Sequence, residues 1–187
     1  MKKILLITLL SVSNLYCQNL TLDQVISLRK KSFNDVEEYL TSKNWSFLSG
    51  EESQSDEKMG NAEFAYNKQN FGDNAEAFFK FIYDNSEKEE LCSHRIIIQF
   101  TNKLQYNNYL NRIKSLGCKL IKSKIEDGDI IKVYQGATTT FQIKVHVYKD
   151  ELETSKTIYY FFITSNIDYM FYYDDEPLSE LIEKKED

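Results

Sequence analysis

Apolar residues first recur at helical spacing through Leu22, Val25, Ile26, Phe33, Val36 and Leu40, which predicts a helical stretch with its apolar stripe on one side. Thr21-Leu22-Asp23-Gln24 opens it as a capping box: the threonine oxygen accepts from the Gln24 amide, and the Gln24 side chain reaches back. The stripe is irregular near Ser32-Phe33-Asn34-Asp35, where Ser32 or Asn34 can cap a second short helix. Asn44 ends it in a left-handed cap. Short alternating or aromatic runs follow at 45–48, 62–66, 76–83 and 93–100, each reading as a strand. The polar stretch 50–60 between the first two reads as a solvated loop.

The pattern then restarts. Thr101 caps a helix whose apolar face is Tyr106, Tyr109, Leu110, Ile113 and Leu116, and Gly117 stops it. Strands follow at 118–125, 130–135, 138–148 and 157–164, with Glu126-Asp127-Gly128-Asp129 as a hairpin turn. Leu40 falls on Ile113, Asn44 on Gly117, Trp45 on Cys118 and Phe47 on Leu120 when the halves are overlaid. The expected fold is therefore α+β: two tandem helix-plus-four-strand repeats forming antiparallel sheet with helices on one face. The repeats span 18–100 and 101–173, followed by an acidic tail over 174–187. In the strand over 138–148, Phe141, Ile143, Val145 and Val147 point to the core. Thr140, Gln142, Lys144, His146 and Tyr148 point to an open face.

The first residues add a compartment. Lys2 and Lys3 precede an apolar run from Ile4 to Val12, too short to span a bilayer comfortably. Residues 1–17 read as a signal peptide, with cleavage before Gln18 and a periplasmic or secreted location. Lipidation at Cys17 is disfavoured, because Tyr16 and Asn14 occupy positions where a lipoprotein signal needs small and aliphatic residues. This signal, the capped helix and the run Val36-Glu37-Glu38-Tyr39-Leu40-Thr41-Ser42-Lys43-Asn44-Trp45-Ser46-Phe47 resemble uncharacterised exported proteins of the Bacteroidetes, over about the first quarter of the chain. That resemblance brings no activity. The duplicated outline is similar to TATA-binding-protein-like folds and to the β-lactamase inhibitor protein, analogies of fold that do not transfer function.

Charge narrows the partners. The chain carries 23 basic and 29 acidic residues, a net charge of -6. Loss of Lys2 and Lys3 with the signal leaves 21 basic residues against 29 acidic. An acidic chain is a poor ligand for phosphate backbones, so no nucleic-acid partner is expected. Cys92 and Cys118 would remain after cleavage. In an exported chain they form either a disulfide or two buried thiols, and their spacing does not choose between them.

Little points to catalysis. The two histidines, His94 and His146, fall in predicted strands without a Cys/His cluster to complete a metal site. There is no Gly-rich phosphate loop and no Gly-x-Ser-x-Gly elbow. The expectation is a protein that is not an enzyme and takes no cofactor or metal. The unusual feature is aromatic content, 13 Tyr and 12 Phe. Most of it suits sheet packing, but Arg95, Lys144, His146, Tyr148 and Tyr160 share the open face if strand parities hold. The expected function is binding of a protein or envelope component there. The alternative is a carrier of an apolar small molecule in a cavity lined by Phe79, Phe81 and Phe141. Tyr169-Met170-Phe171-Tyr172-Tyr173 reads as a last edge strand, or as a segment that adds to a partner's sheet.

Overall fold

The computed structural model describes residues 20–52, 59–68, 75–83, 94–149 and 155–172. The signal segment, Cys92, Tyr173 and the acidic tail lie outside them. Over the described residues the chain forms four helices and eight strands. In chain order these are α1 (Leu22–Leu28), α2 (Phe33–Ser42), β1 (Trp45–Glu51), β2 (Gly60–Tyr66), β3 (Ala77–Tyr83), β4 (Arg95–Phe100), α3 (Lys103–Ser115), β5 (Lys119–Glu126), β6 (Asp129–Gln135), β7 (Thr139–Lys149), β8 (Ser155–Ser165) and α4 (Asn166–Tyr172). The strands make one antiparallel sheet in the order β1-β2-β3-β4-β8-β7-β6-β5.

Local chemistry sets the helix ends. The Thr21 box forms, with Gln24 N–H donating to Thr21 Oγ1 at 3.3 Å and Thr21 N–H donating to Gln24 Oε1 at 2.8 Å. The expected irregularity is a break between α1 and α2, where Ser32 Oγ accepts from the Asp35 amide. Asn44 (φ 62°) and Gly117 (φ 78°) both take the left-handed conformation after their helices. The α3 cap is Asn102 rather than Thr101: its Oδ1 accepts from the amides of Leu104 (2.8 Å) and Gln105 (3.1 Å), satisfying two orphan donors at once. Leu116 is the C-cap of α3 and 43% exposed, so it leaves the apolar face expected for it. Both ends of the expected 50–60 loop are strand, since β1 runs through Gly50 to Glu51 and β2 starts at Gly60, while 53–58 lie outside the described residues.

The strand register is shared by the two ends of the sheet. β1 pairs with β2 as Ser46↔Ala65 and Phe47↔Phe64, then a bulge resets it to Ser49↔Glu63. β5 pairs with β6 as Lys119↔Gln135 and Leu120↔Tyr134, then a bulge resets it to Lys122↔Val133. At the centre Ile97 opposes Phe162, flanked by Ile96↔Ile163 and Ile98↔Phe161. The turn between β5 and β6 holds Asp127 (φ 51°) and Gly128 (φ 84°), the two positive φ values of a two-residue hairpin loop.

One face of the sheet makes the core. Phe64, Phe79, Ile98, Phe161 and Ile143 lie in register across five strands and are 0–1% exposed. Val25, Leu28, Val36, Leu40, Tyr109 and Ile113, from α1, α2 and α3, join the same cluster. Each such side chain contributes about 1.5–3 kcal/mol by leaving water. Tyr109 Oη, buried, donates to the Leu20 carbonyl at 2.6 Å, and burial pushes its phenol well above the ordinary range. Val147 was expected in this core. It is 52% exposed, near the far end of β7 beyond the packed cluster.

The largest correction is at the C-terminal end. Residues 169–172 are helical, within α4, rather than an edge strand. Ser165 Oγ accepts from the Asp168 amide at 3.0 Å and lies 2.8 Å from the Asp168 carboxylate, an N-terminal stop for the strand and start for the helix. Asn166 ties α4 down: its Oδ1 accepts from Thr140 Oγ1 at 2.9 Å, and its amide donates to Gly136 and Ala137 carbonyls.

Candidate functional site: the open face of the sheet

The face opposite the core is built from the alternate residues of the same strands. Two registers cross its middle. One runs Ala65–Phe78–Gln99–Tyr160–Lys144–Ile131–Lys124. The next runs Glu63–Lys80–Ile97–Phe162–Gln142–Val133–Lys122. Phe78, Ile97, Tyr160 and Phe162 sit together at the centre, half-buried. The Tyr160 and Phe162 rings stack at 6.4 Å. A shallow hollow of about 340 Å³ opens here, lined by Glu63, Phe78, Phe79, Lys80, Ile97 and Gln99. Lys80 and Glu63 bridge its rim at 2.7 Å.

A charged cluster lies beside this centre. Lys144 Nζ is 2.6 Å from one oxygen of Asp129, and His146 Nδ1 is 2.7 Å from the other. Asp129 is 5% exposed, while the Lys144 and His146 side chains are each 38% exposed. Hydrogen bonds from Lys144 and then His146 hold the Asp129 carboxyl below the usual range, against some desolvation. Asp129 in turn raises Lys144. An ionised carboxylate only accepts, so His146 Nδ1 carries a proton toward Asp129 and turns its other nitrogen away from that bond. The cluster has the acid–histidine half of a hydrolytic arrangement, and among the described residues no serine or cysteine is bonded to His146.

The sequence-derived residues divide. Lys144 and Tyr160 are direct cross-strand partners, His146 is the next open-face residue on β7, and Tyr148 follows it at 51% exposure. Arg95 is on β4 but is 8% exposed, with Nη2 3.9 Å from Asp168 of α4. It anchors that helix rather than standing on the exposed surface. His94 Nδ1 lies 3.1 Å from the Arg29 carbonyl, a structural contact. Cys118, at the head of β5, is a half-buried free thiol, while Cys92 lies outside the described residues. Burial raises the Cys118 thiol, and a Cβ at Gly136 would meet its sulfur at 2.9 Å. Among the described residues no group of three or more His, Cys, Asp or Glu is placed to hold a metal ion. No helix among them is long and apolar enough to cross a membrane.

Sequence reasoning missed Asp129, Phe78, Ile97 and Phe162. Alternation gave a parity for the strand over 138–148 alone. The register that sets Asp129 beside His146, or Ile97 opposite Phe162, is a property of the assembled sheet. The Phe79, Phe81 and Phe141 set proposed to line a cavity is 0–1% exposed in the packed core. The larger cleft, about 520 Å³, lies elsewhere, between the start of α1 and α3. Its walls include Leu20, Leu22, Leu104 and Tyr109, and the Asp23–Arg112 ion pair (3.0 Å) borders it. Comparison with protein-family models, curated proteins and solved structures found no match.

Proposed function

We propose that this chain is an exported, non-enzymatic binding protein that holds a protein or other envelope component on the open face of its sheet. The observation that carries the reading is the half-exposed centre Phe78–Ile97–Tyr160–Phe162, apolar and aromatic, bordered by Lys144, His146 and Lys80. Aromatic side chains supply large contact area at low entropic cost, and a polar rim fixes orientation. The Lys2-Lys3 signal, cleaved before Gln18, would deliver the chain to the periplasm or outside. Two tandem repeats, each a helix followed by four strands, would have built the sheet. The matched bulges after Phe47 and Leu120, the left-handed Asn44 and Gly117, and the self-complementary pairing about Ile97 and Phe162 support that descent. The test is capture from the source envelope by wild type and by the Tyr160→Ala/Phe162→Ala variant, with thermal melting as the folding control. Loss of capture by a folded variant supports the reading; undiminished capture overturns it. A second reading is a carrier of an amphipathic small molecule in the 520 Å³ cleft between α1 and α3, whose walls set Leu20, Leu22, Leu104 and Tyr109 beside Asp23, Gln105, Asn108 and Arg112.

A further inference from the structure

Charge is unevenly spread over the open face. Within β5–β8 it carries Lys119, Lys122, Lys124, Lys144 and Lys156, placed there by pairing with Gln135, Val133, Ile131, Tyr160 and Tyr148. Among the described residues, Glu126 and Asp129 are carboxylates of this half-face and pair with Lys124 (2.7 Å) and Lys144 (2.6 Å), and Lys122 and Lys124 each have a further partner. The corresponding positions of the first half, judged from the matched bulges, are Ser46, Ser49 and Glu51. The whole chain is nevertheless net -6. Lysines on an edge strand discourage sheet-to-sheet association, which accounts for β5 alone. It does not account for Lys144 and Lys156, which lie on the interior strands β7 and β8.

Resting on the open-face reading above, we infer that the partner is an acidic protein whose carboxylate-rich segment lies over β5–β8 while an apolar portion covers Phe78, Ile97 and Phe162. Four strands span about 14 Å, against a Debye length of about 8 Å at physiological salt. The lysine field is therefore local and is opposed at longer range by the chain's negative total. That suits a short acidic segment and opposes a long polyanion, whose remaining charges would meet the acidic remainder.

The probe is a blocked hexaglutamate peptide, titrated into the isotopically labelled full-length protein with amide shifts as the readout. The expected shifts map to β5–β8, and affinity falls at least tenfold between about 50 and 300 mM salt. Lys122→Glu/Lys124→Glu removes binding by tenfold or more, while Lys114→Glu, on α3, leaves it unchanged. Absent shifts, or shifts centred on β1–β3, overturn the inference. So does tighter binding of an oligouridylate of equal charge, which would make the partner a nucleic acid. Self-association at low salt without peptide overturns it in favour of a second copy. The Tyr160→Ala/Phe162→Ala capture test leaves every lysine intact, so failure of the charge inference and failure of the open-face reading are distinguishable.

Discussion

Asp129 concentrates more of the open face's electrostatics than any other described residue. It follows a hairpin turn that needs two positive φ values, supplied by Asp127 and Gly128, and it receives Lys144 and His146 from β7. Its carboxyl is depressed by those hydrogen bonds. A depressed acid contributes stability above its unfolded pKa, about 4, and loses it as pH falls through the folded value. Lys144 is raised, so its contribution is full below about 10.4 and is lost only as pH rises through its folded value. The clamp therefore holds across the neutral range and opens only in acid below about pH 4 or in strong alkali. Carbon-detected titration of the Asp129 carboxyl should give a lower midpoint in wild type than in Lys144→Gln. An equal or higher wild-type midpoint would remove Lys144 as the cause.

At the scale of elements, the caps decide where helices stop and strands begin. α4 is the clearest case, because an aromatic, β-prone run became helical. Ser165→Ala removes the oxygen that accepts from the Asp168 amide, and should cost about 1 kcal/mol in chemical denaturation. Hydrogen exchange should quicken in α4 before the core strands; unchanged exchange there would mean that Asn166 alone holds the helix. The same element shows what could be read from sequence. Thr21, Ser32, Asn44 and Gly117 act through neighbours one to three residues away, so their chemistry was legible. Ser165-Asn166-Ile167-Asp168 carries an equally local signal, masked by the strand propensity of the tyrosines that follow. Arg95 was misplaced for a different reason. Its burial depends on Asp168, which reaches it only once α4 has docked on the end of the sheet.

For the whole molecule, the central β4–β8 pairing joins two four-strand meanders into one sheet. The parity of β7 was legible in its alternation at Phe141 and Ile143, which are buried, and at Tyr148, which is exposed, but Thr140, expected on the open face, is buried and bonded to Asn166 of α4, and Val147, expected in the core, is exposed. The composition of the face's centre was not legible, since it needs residues from β3, β4 and β8 in one register. That register leaves a polarised surface: aromatic in the middle, rich in lysine toward β5. On the proposed reading the partner meets this face rather than the exposed surface of α3. A photo-crosslinking amino acid at Phe162, on the open face, and at Leu104, 64% exposed on α3, tests it directly in the source cells. A discrete crosslinked species is expected from position 162 and none from 104. A species from 104 with none from 162 would place the working surface on the helices and contradict it.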